Sequence, residues 1–309
     1  MAAAGAAAAA EMERAAAEAT KIVSSLLYLG DSVDVNTDSS LRSWHRSNLS
    51  FGEAYALLWQ QDDQGGRISH SEDSNARLMA AHLIDLLFAG RVKLYWGFKT
   101  SLLKGQYGKL RLMISSTNGV EVAATTKLLQ HLGGYQDERR ASGKNPISLN
   151  DFILLHIGDA NFEKRKGIGY ELEKETFGEL ISRGILTEEK KKSWVFFQKT
   201  VYPTSDPTPE AMLVQDLRAV LKGDMPSTPQ LEILLKLISR TTKVFTAEEE
   251  AADKELQKRR KAFKHDDAFT LVEQERQPVE GRVTGYNTSP FSATQELSVR
   301  LVVDQAELC

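Results

Sequence analysis

Cysteine is all but missing: the 309-residue chain has one, Cys309, at its end. That excludes an intramolecular disulfide and a cysteine-based zinc site, and it suits a reducing compartment. No apolar run approaches the ~20 residues that a membrane-spanning helix requires. The alanine-rich start, MAAAGAAAAAEMERAAAEA, lacks a basic n-region, and Glu11, Glu13 and Glu18 argue against a transit peptide. Neither a secreted nor a transmembrane protein is expected, so any membrane contact is expected from the cytosolic side. The net charge is only −3. No whole-chain attraction for nucleic acid or anionic lipid follows, and any such binding needs a local basic patch. Catalytic signatures are missing too. His45, His70, His82, His131, His156 and His265 show no HxxH or HExxH spacing. There is no GxSxG, no Walker loop and no GxGxxG after a strand. No enzyme, metal, other cofactor or nucleic-acid partner is expected.

What remains is an ordinary globular composition, with 41% apolar and 26% charged residues, enough to bury a substantial core. Residues 1–47 read as a flexible, poorly anchored Ala-rich arm, 48–264 as the folded domain, and 265–309 as an irregular extension. Within the domain the segment ARLMAAHLIDLLFAG is apolar around nearly its whole circumference. A helix over 77–89, too short to span a bilayer, is therefore predicted at the centre of the core, stopped by Gly90. His82 on it reads as a satisfied core residue. Val92, Leu94 and Trp96 then alternate with Lys93 and Tyr95, and Leu110, Leu112 and Ile114 repeat the pattern across the turn residues of KGQYGK. That predicts a small antiparallel sheet.

Further helices are expected in VEVAATTKLLQHLGG, in SLNDFILLHIG and around Phe177, Leu180 and Ile181, with a loop through ERRASGKNP. The turn GIG, Gly167–Gly169, reads as a helix start. Thr208-Pro209 and Thr228-Pro229 each put a capping hydroxyl before a first-turn proline. A charged helix is expected over 246–263. The class is mainly α (α+β), with small β-hairpins.

Three segments in order resemble the Golgi phosphoprotein 3 (GPP34) family: AHLIDLLFAGRVKL at 81–94, ELISRGILTEEKKKSWVFFQKTVYP at 179–203, and SDPTPEAMLVQDLRAVLKGDMPSTPQLEILLKLI at 205–238. Each alone is unspecific; their joint order and spacing over 49–263 are specific. The resemblance implies a peripheral protein on the cytosolic face of Golgi membranes that binds phosphatidylinositol 4-phosphate. It also implies retention of glycosyltransferases through their tails, in vesicles coated by coatomer.

The family binds the headgroup with a Trp before the central helix, an Arg at that helix's start and two Arg a turn apart before the RGIL-like turn. Ungapped registers put His70, Met79, Tyr170 and Glu173 at those places. The cations nearby are Arg77 and the run Lys164, Arg165 and Lys166, with Tyr170 one helical turn beyond Lys166. These residues are the phosphoinositide candidates, because phosphates require converging cationic donors. A solvated loop and a surface helix residue are the bland alternatives.

Trp194, Val195, Phe196 and Phe197 occupy the place of the family's apolar hairpin, which implies membrane contact or a homo-oligomer, against the bland reading of a core strand. Lys190, Lys191 and Lys192 beside them read as a solvated turn. The arm has only Arg14, Arg42 and Arg46, so coatomer contact through it is expected to be weak or absent. The alternative reading is a protein-interaction paralogue that keeps the scaffold without phosphoinositide specificity.

Overall fold

The computed structural model describes residues 2–28, 40–60, 72–101, 105–157, 168–193 and 197–238. All lie within the unit Met1–Lys258; a second unit, Arg259–Cys309, falls outside them. The helix expected at 246–263 and the extension at 265–309 also lie outside the described residues. No helix among those described is long and apolar enough to cross a membrane.

The fold is mostly helical, with two antiparallel hairpins. In chain order come α1 (Ala2–Ser24), α2 (Phe51–Trp59), α3 (Glu72–Phe88), β1 (Val92–Ser101), β2 (Gly105–Ile114), α4 (Ala123–Ala141), α5 (Leu149–Ile157), α6 (Ile168–Ser182), β3 (Glu189–Ser193), β4 (Phe197–Val201), α7 (Thr208–Lys222) and α8 (Pro229–Ile238). Helix α3 is the predicted central helix. It packs on α1, α2, α4, α5, α6 and α8, and Leu83, Ile84 and Leu86 are fully buried. An all-round apolar helix has no face to leave in water, so the other helices surround it.

Several local readings shift. The arm read as flexible contains α1, which lies against α3 and α5 and buries Ala15, Ala16, Ala19 and Val23. Those small side chains let the helices approach closely, so an alanine face serves as a packing face. Helix α4 runs on to Ala141, through part of the expected loop; Arg139 and Arg140 in its last turn favour the negative end of the helix dipole. Thr228 caps α8 as expected, accepting from the Leu231 N–H at 3.2 Å. Thr208 instead opens α7 from within, and Asp206 accepts its N–H at 3.0 Å. Gly184 and Gly223 end α6 and α7 with φ of +73° and +82°, a left-handed conformation that glycine adopts without a Cβ penalty.

The β1–β2 register pairs Val92 with Ile114 and Trp96 with Leu110. In the second hairpin β3 pairs with β4 from Glu189↔Val201 to Ser193↔Phe197, continuing a bridge between Leu186 and Thr204. The lysine run is thus strand and not a turn, because the ladder that starts at Leu186 carries straight through it. Trp194, Val195 and Phe196 lie outside the described residues.

Candidate functional site

The amino end of α2 sets the level of the central helix. Ser50 and Glu53 form a capping box: the Ser50 hydroxyl accepts from the Glu53 N–H, and the Glu53 carboxylate accepts from the Ser50 N–H at 2.8 Å. The S-x-x-E spacing is visible in the sequence and was the missed signal for this helix start. Arg42 forks onto the same carboxylate at 2.7 and 2.8 Å, and Arg183 adds a contact at 2.9 Å. Burial pushes the Glu53 carboxyl up, but the hydrogen bonds from Arg42 and Ser50 win and hold it below the usual range.

Asp85 on α3 accepts from the Phe51 and Gly52 N–H groups at 2.9 and 3.0 Å, so a buried carboxylate from one helix caps another. Burial still pushes it up to about 7. His82, fully buried, contacts the hydroxyls of Thr125 at 2.9 Å and Thr176 at 2.8 Å. The Thr176 hydroxyl already donates to the Leu172 carbonyl, so it accepts from His82 Nε2–H, and Nδ1 accepts from Thr125. Burial lowers His82 to about 4, which keeps it neutral. This knot joins α2, α3, α4 and α6.

A second junction forms where α6 begins. Gly169, in the first turn of α6, sits where an added Cβ would be 3.4 Å from the His156 carbonyl and 4.0 Å from Asn75 Cβ. The start of α6 therefore rests on the end of α5 and the start of α3. A helix amino end favours an anion and a carboxyl end a cation, and the start of α6 meets one of each here. Lys164, Arg165 and Lys166 stand two to four residues before α6 but lie outside the described residues, as does His70. Tyr170 is in α6; its side chain lies outside the description.

Arg77 does not face that junction as a free cation. It is 3% exposed, its Nη1 donates to the Lys236 and Leu237 carbonyls at 2.7 and 2.9 Å, and its Nε is 3.4 Å from Asp73. It closes the carboxyl end of α8, where a cation compensates orphan carbonyls. Met79 is in the core and Glu173 is 4% exposed, so two of the three positions where the resemblance implies Arg hold buried residues.

The family model for Golgi phosphoprotein 3 (GPP34) matches residues 52–277. The chain belongs to the Golgi phosphoprotein 3 family. No curated protein matches it. The family is one of non-enzymatic adaptors, and membership gives this chain a Golgi-associated function.

A further polar group in this Golgi phosphoprotein 3 member centres on His45. His45 Nδ1 is 2.8 Å from Ser47 Oγ, and Nε2 is 3.0 Å from Asp216. Ser47 is buried, and Arg46 forks onto the same Asp216 carboxylate. The group ties the segment before α2 to α7.

Proposed function

We propose that this chain is a peripheral protein on the cytosolic face of Golgi membranes that reads phosphatidylinositol 4-phosphate at the junction of α3 and α6. The observation that carries the reading is the seating of the first turn of α6 on the first turn of α3, directly after the Lys164-Arg165-Lys166 run in the sequence. Cations that precede the amino end of α6 in the sequence suit a phosphorylated headgroup, which a helix amino end also favours. Arg77 is assigned a supporting role, since its guanidinium is engaged by α8. The β3–β4 hairpin, with Trp194, Val195 and Phe196 between its strands in the sequence and Phe197 opening β4, serves as a second anchor, because a single weak signal seldom holds a protein on a bilayer. Retention of glycosyltransferases through their tails is the adaptor role that follows. Coatomer contact through the arm is weak: Arg42 is taken by Glu53 and Arg46 by Asp216, leaving Arg14 of the arm's three arginines.

The second reading is a protein-interaction paralogue without phosphoinositide specificity. It is favoured by the buried Met79 and Glu173 at the family's arginine positions. Flotation of the full chain with vesicles containing or lacking phosphatidylinositol 4-phosphate, at near-physiological salt, separates the two. Selective binding that disappears when Lys164, Arg165 and Lys166 are changed to Glu supports the lipid reader. Equal binding to both vesicles, or none, supports the paralogue.

A further inference from the structure

The segment ERRASGKNP is partly helix: its two arginines lie in the last turn of α4, and Ser142 is the residue that closes that turn. The Ser142 N–H donates to the Glu138 carbonyl at 3.0 Å, and the Ser142 hydroxyl donates to the same carbonyl at 2.9 Å. Gly143 and Lys144 then donate their N–H groups to the Arg140 and Arg139 carbonyls at 3.0 and 2.8 Å. Gly143 has a φ of +65°, and a Cβ added there would meet nothing within 4 Å, so open space adjoins the serine. Residues 141–146 are all exposed.

Arg139 and Arg140 stand three and two residues before this serine, and neither is committed to the core. Arg140 is 81% exposed and touches Asp137, itself 75% exposed, at 3.2 Å, a surface pair of little strength. Arg139 donates from Nε to the Asn145 carbonyl at 2.8 Å and lies over the Tyr135 ring, 5.8 Å from its centroid. Arg42, Arg77 and Arg183 differ, since a buried carboxylate or the end of α8 takes their guanidiniums. A serine behind paired guanidiniums on an exposed turn suits a kinase cleft lined by carboxylates, which take Arg bidentately. Ser193 also follows a basic run, Lys190 to Lys192, but it is paired into β3 opposite Phe197 and is held by the ladder.

We propose that Ser142 is a phosphoacceptor for an arginine-directed serine kinase, and that phosphate there opens the last turn of α4. In the transfer Ser142 Oγ attacks the γ-phosphorus of ATP. The Oγ–P bond forms as the bond to the β–γ bridging oxygen breaks, ADP leaves, and the hydroxyl proton passes to the kinase's catalytic carboxylate. The product has no hydroxyl hydrogen to give the Glu138 carbonyl. It also sets a charge of about −1.5 to −2 at the carboxyl end of a helix, where the dipole is already negative. The phosphate oxygens accept from Arg139 and Arg140 and draw them off the Asn145 carbonyl and Asp137. The contacts that close the turn between α4 and α5 are thereby lost.

The test treats the full chain with ATP and the catalytic subunit of cyclic-AMP-dependent kinase, an arginine-directed enzyme, and places the phosphate by peptide mass spectrometry. No membrane is present, so the result is independent of the headgroup reading above. Ser142 is expected to carry the phosphate, and Ser142→Ala should remove it from that peptide. Arg139→Gln with Arg140→Gln should slow labelling of Ser142 by about tenfold or more, since each guanidinium makes a charge-assisted contact in the cleft. Circular dichroism checks that each variant is folded. In the phosphorylated protein the Ser142, Gly143 and Lys144 amides should exchange with deuterium faster than in the unmodified protein. The proposal is overturned if phosphate is absent from Ser142 in wild type, if the folded arginine variant is labelled at the wild-type rate, or if exchange at these three amides is unchanged or slowed.

Discussion

Gly52→Ala is a single-methyl test of the polar knot. Gly52 lies in the first turn of α2 against the face of His82, where an added Cβ would be 2.2 Å from His82 Cε1 and 2.5 Å from Nδ1. The imidazole is not a flexible tip; both of its nitrogens are held by buried threonines. Moving it leaves two buried polar contacts broken, at about 1–3 kcal/mol each, and overpacking adds about 1–3 kcal/mol. In the opposite direction, alanine in a helix is better than glycine by about 1 kcal/mol. Taking midpoints, the loss is about 5 kcal/mol, a large part of the roughly 5–15 kcal/mol that holds a typical domain folded. Urea unfolding of wild type, Gly52→Ala, His82→Ala and the double variant measures it. His82→Ala should cost much less in the Gly52→Ala background, because it removes the obstacle. A Gly52→Ala protein within about 1 kcal/mol of wild type, or two substitutions that simply add, would refute the reasoning.

The pH dependence of stability should expose opposed contributions from the same knot. His82 is lowered to about 4 in the folded state, so its contribution is present above the unfolded value near 6.5 and is lost as pH falls towards 4. Asp85 is raised to about 7, so its contribution is present in acid and is lost as pH rises through 7. Asp85→Asn removes the second and leaves the first, and between pH 7 and 4 the variant should lose about 3 kcal/mol more than wild type, read by urea unfolding at each pH. A parallel profile for the two proteins would contradict this. Arg77→Gln should cost about 2–3 kcal/mol through the α8 carbonyls while leaving phosphoinositide selectivity unchanged. Lost selectivity in a variant as stable as wild type would return Arg77 to the lipid site.

Helix α3, the alternation of β1 and β2, the Thr228 cap and the glycine stops were legible because each depends on side chains a few residues apart. The capping box at Ser50 and Glu53 is equally local, a serine and a glutamate three residues apart. Family membership came from the order of segments, and Golgi association follows from it. The docking of α1 was not legible: alanine marks no hydrophobic face, and only close approach to α3 and α5 shows which alanines are buried. Nor was the fate of Arg77, since the carbonyls it meets are about 160 residues away and become available only where α8 ends beside α3. The same holds for Asp85 capping α2 and for Gly169 resting on Asn75. Sequence determined which segments become helices and strands, because their hydrogen bonds and caps close locally. Tertiary structure decided which charges are consumed in the core and which stay on the surface, because a guanidinium or carboxylate takes its role from the partners that distant segments bring to it.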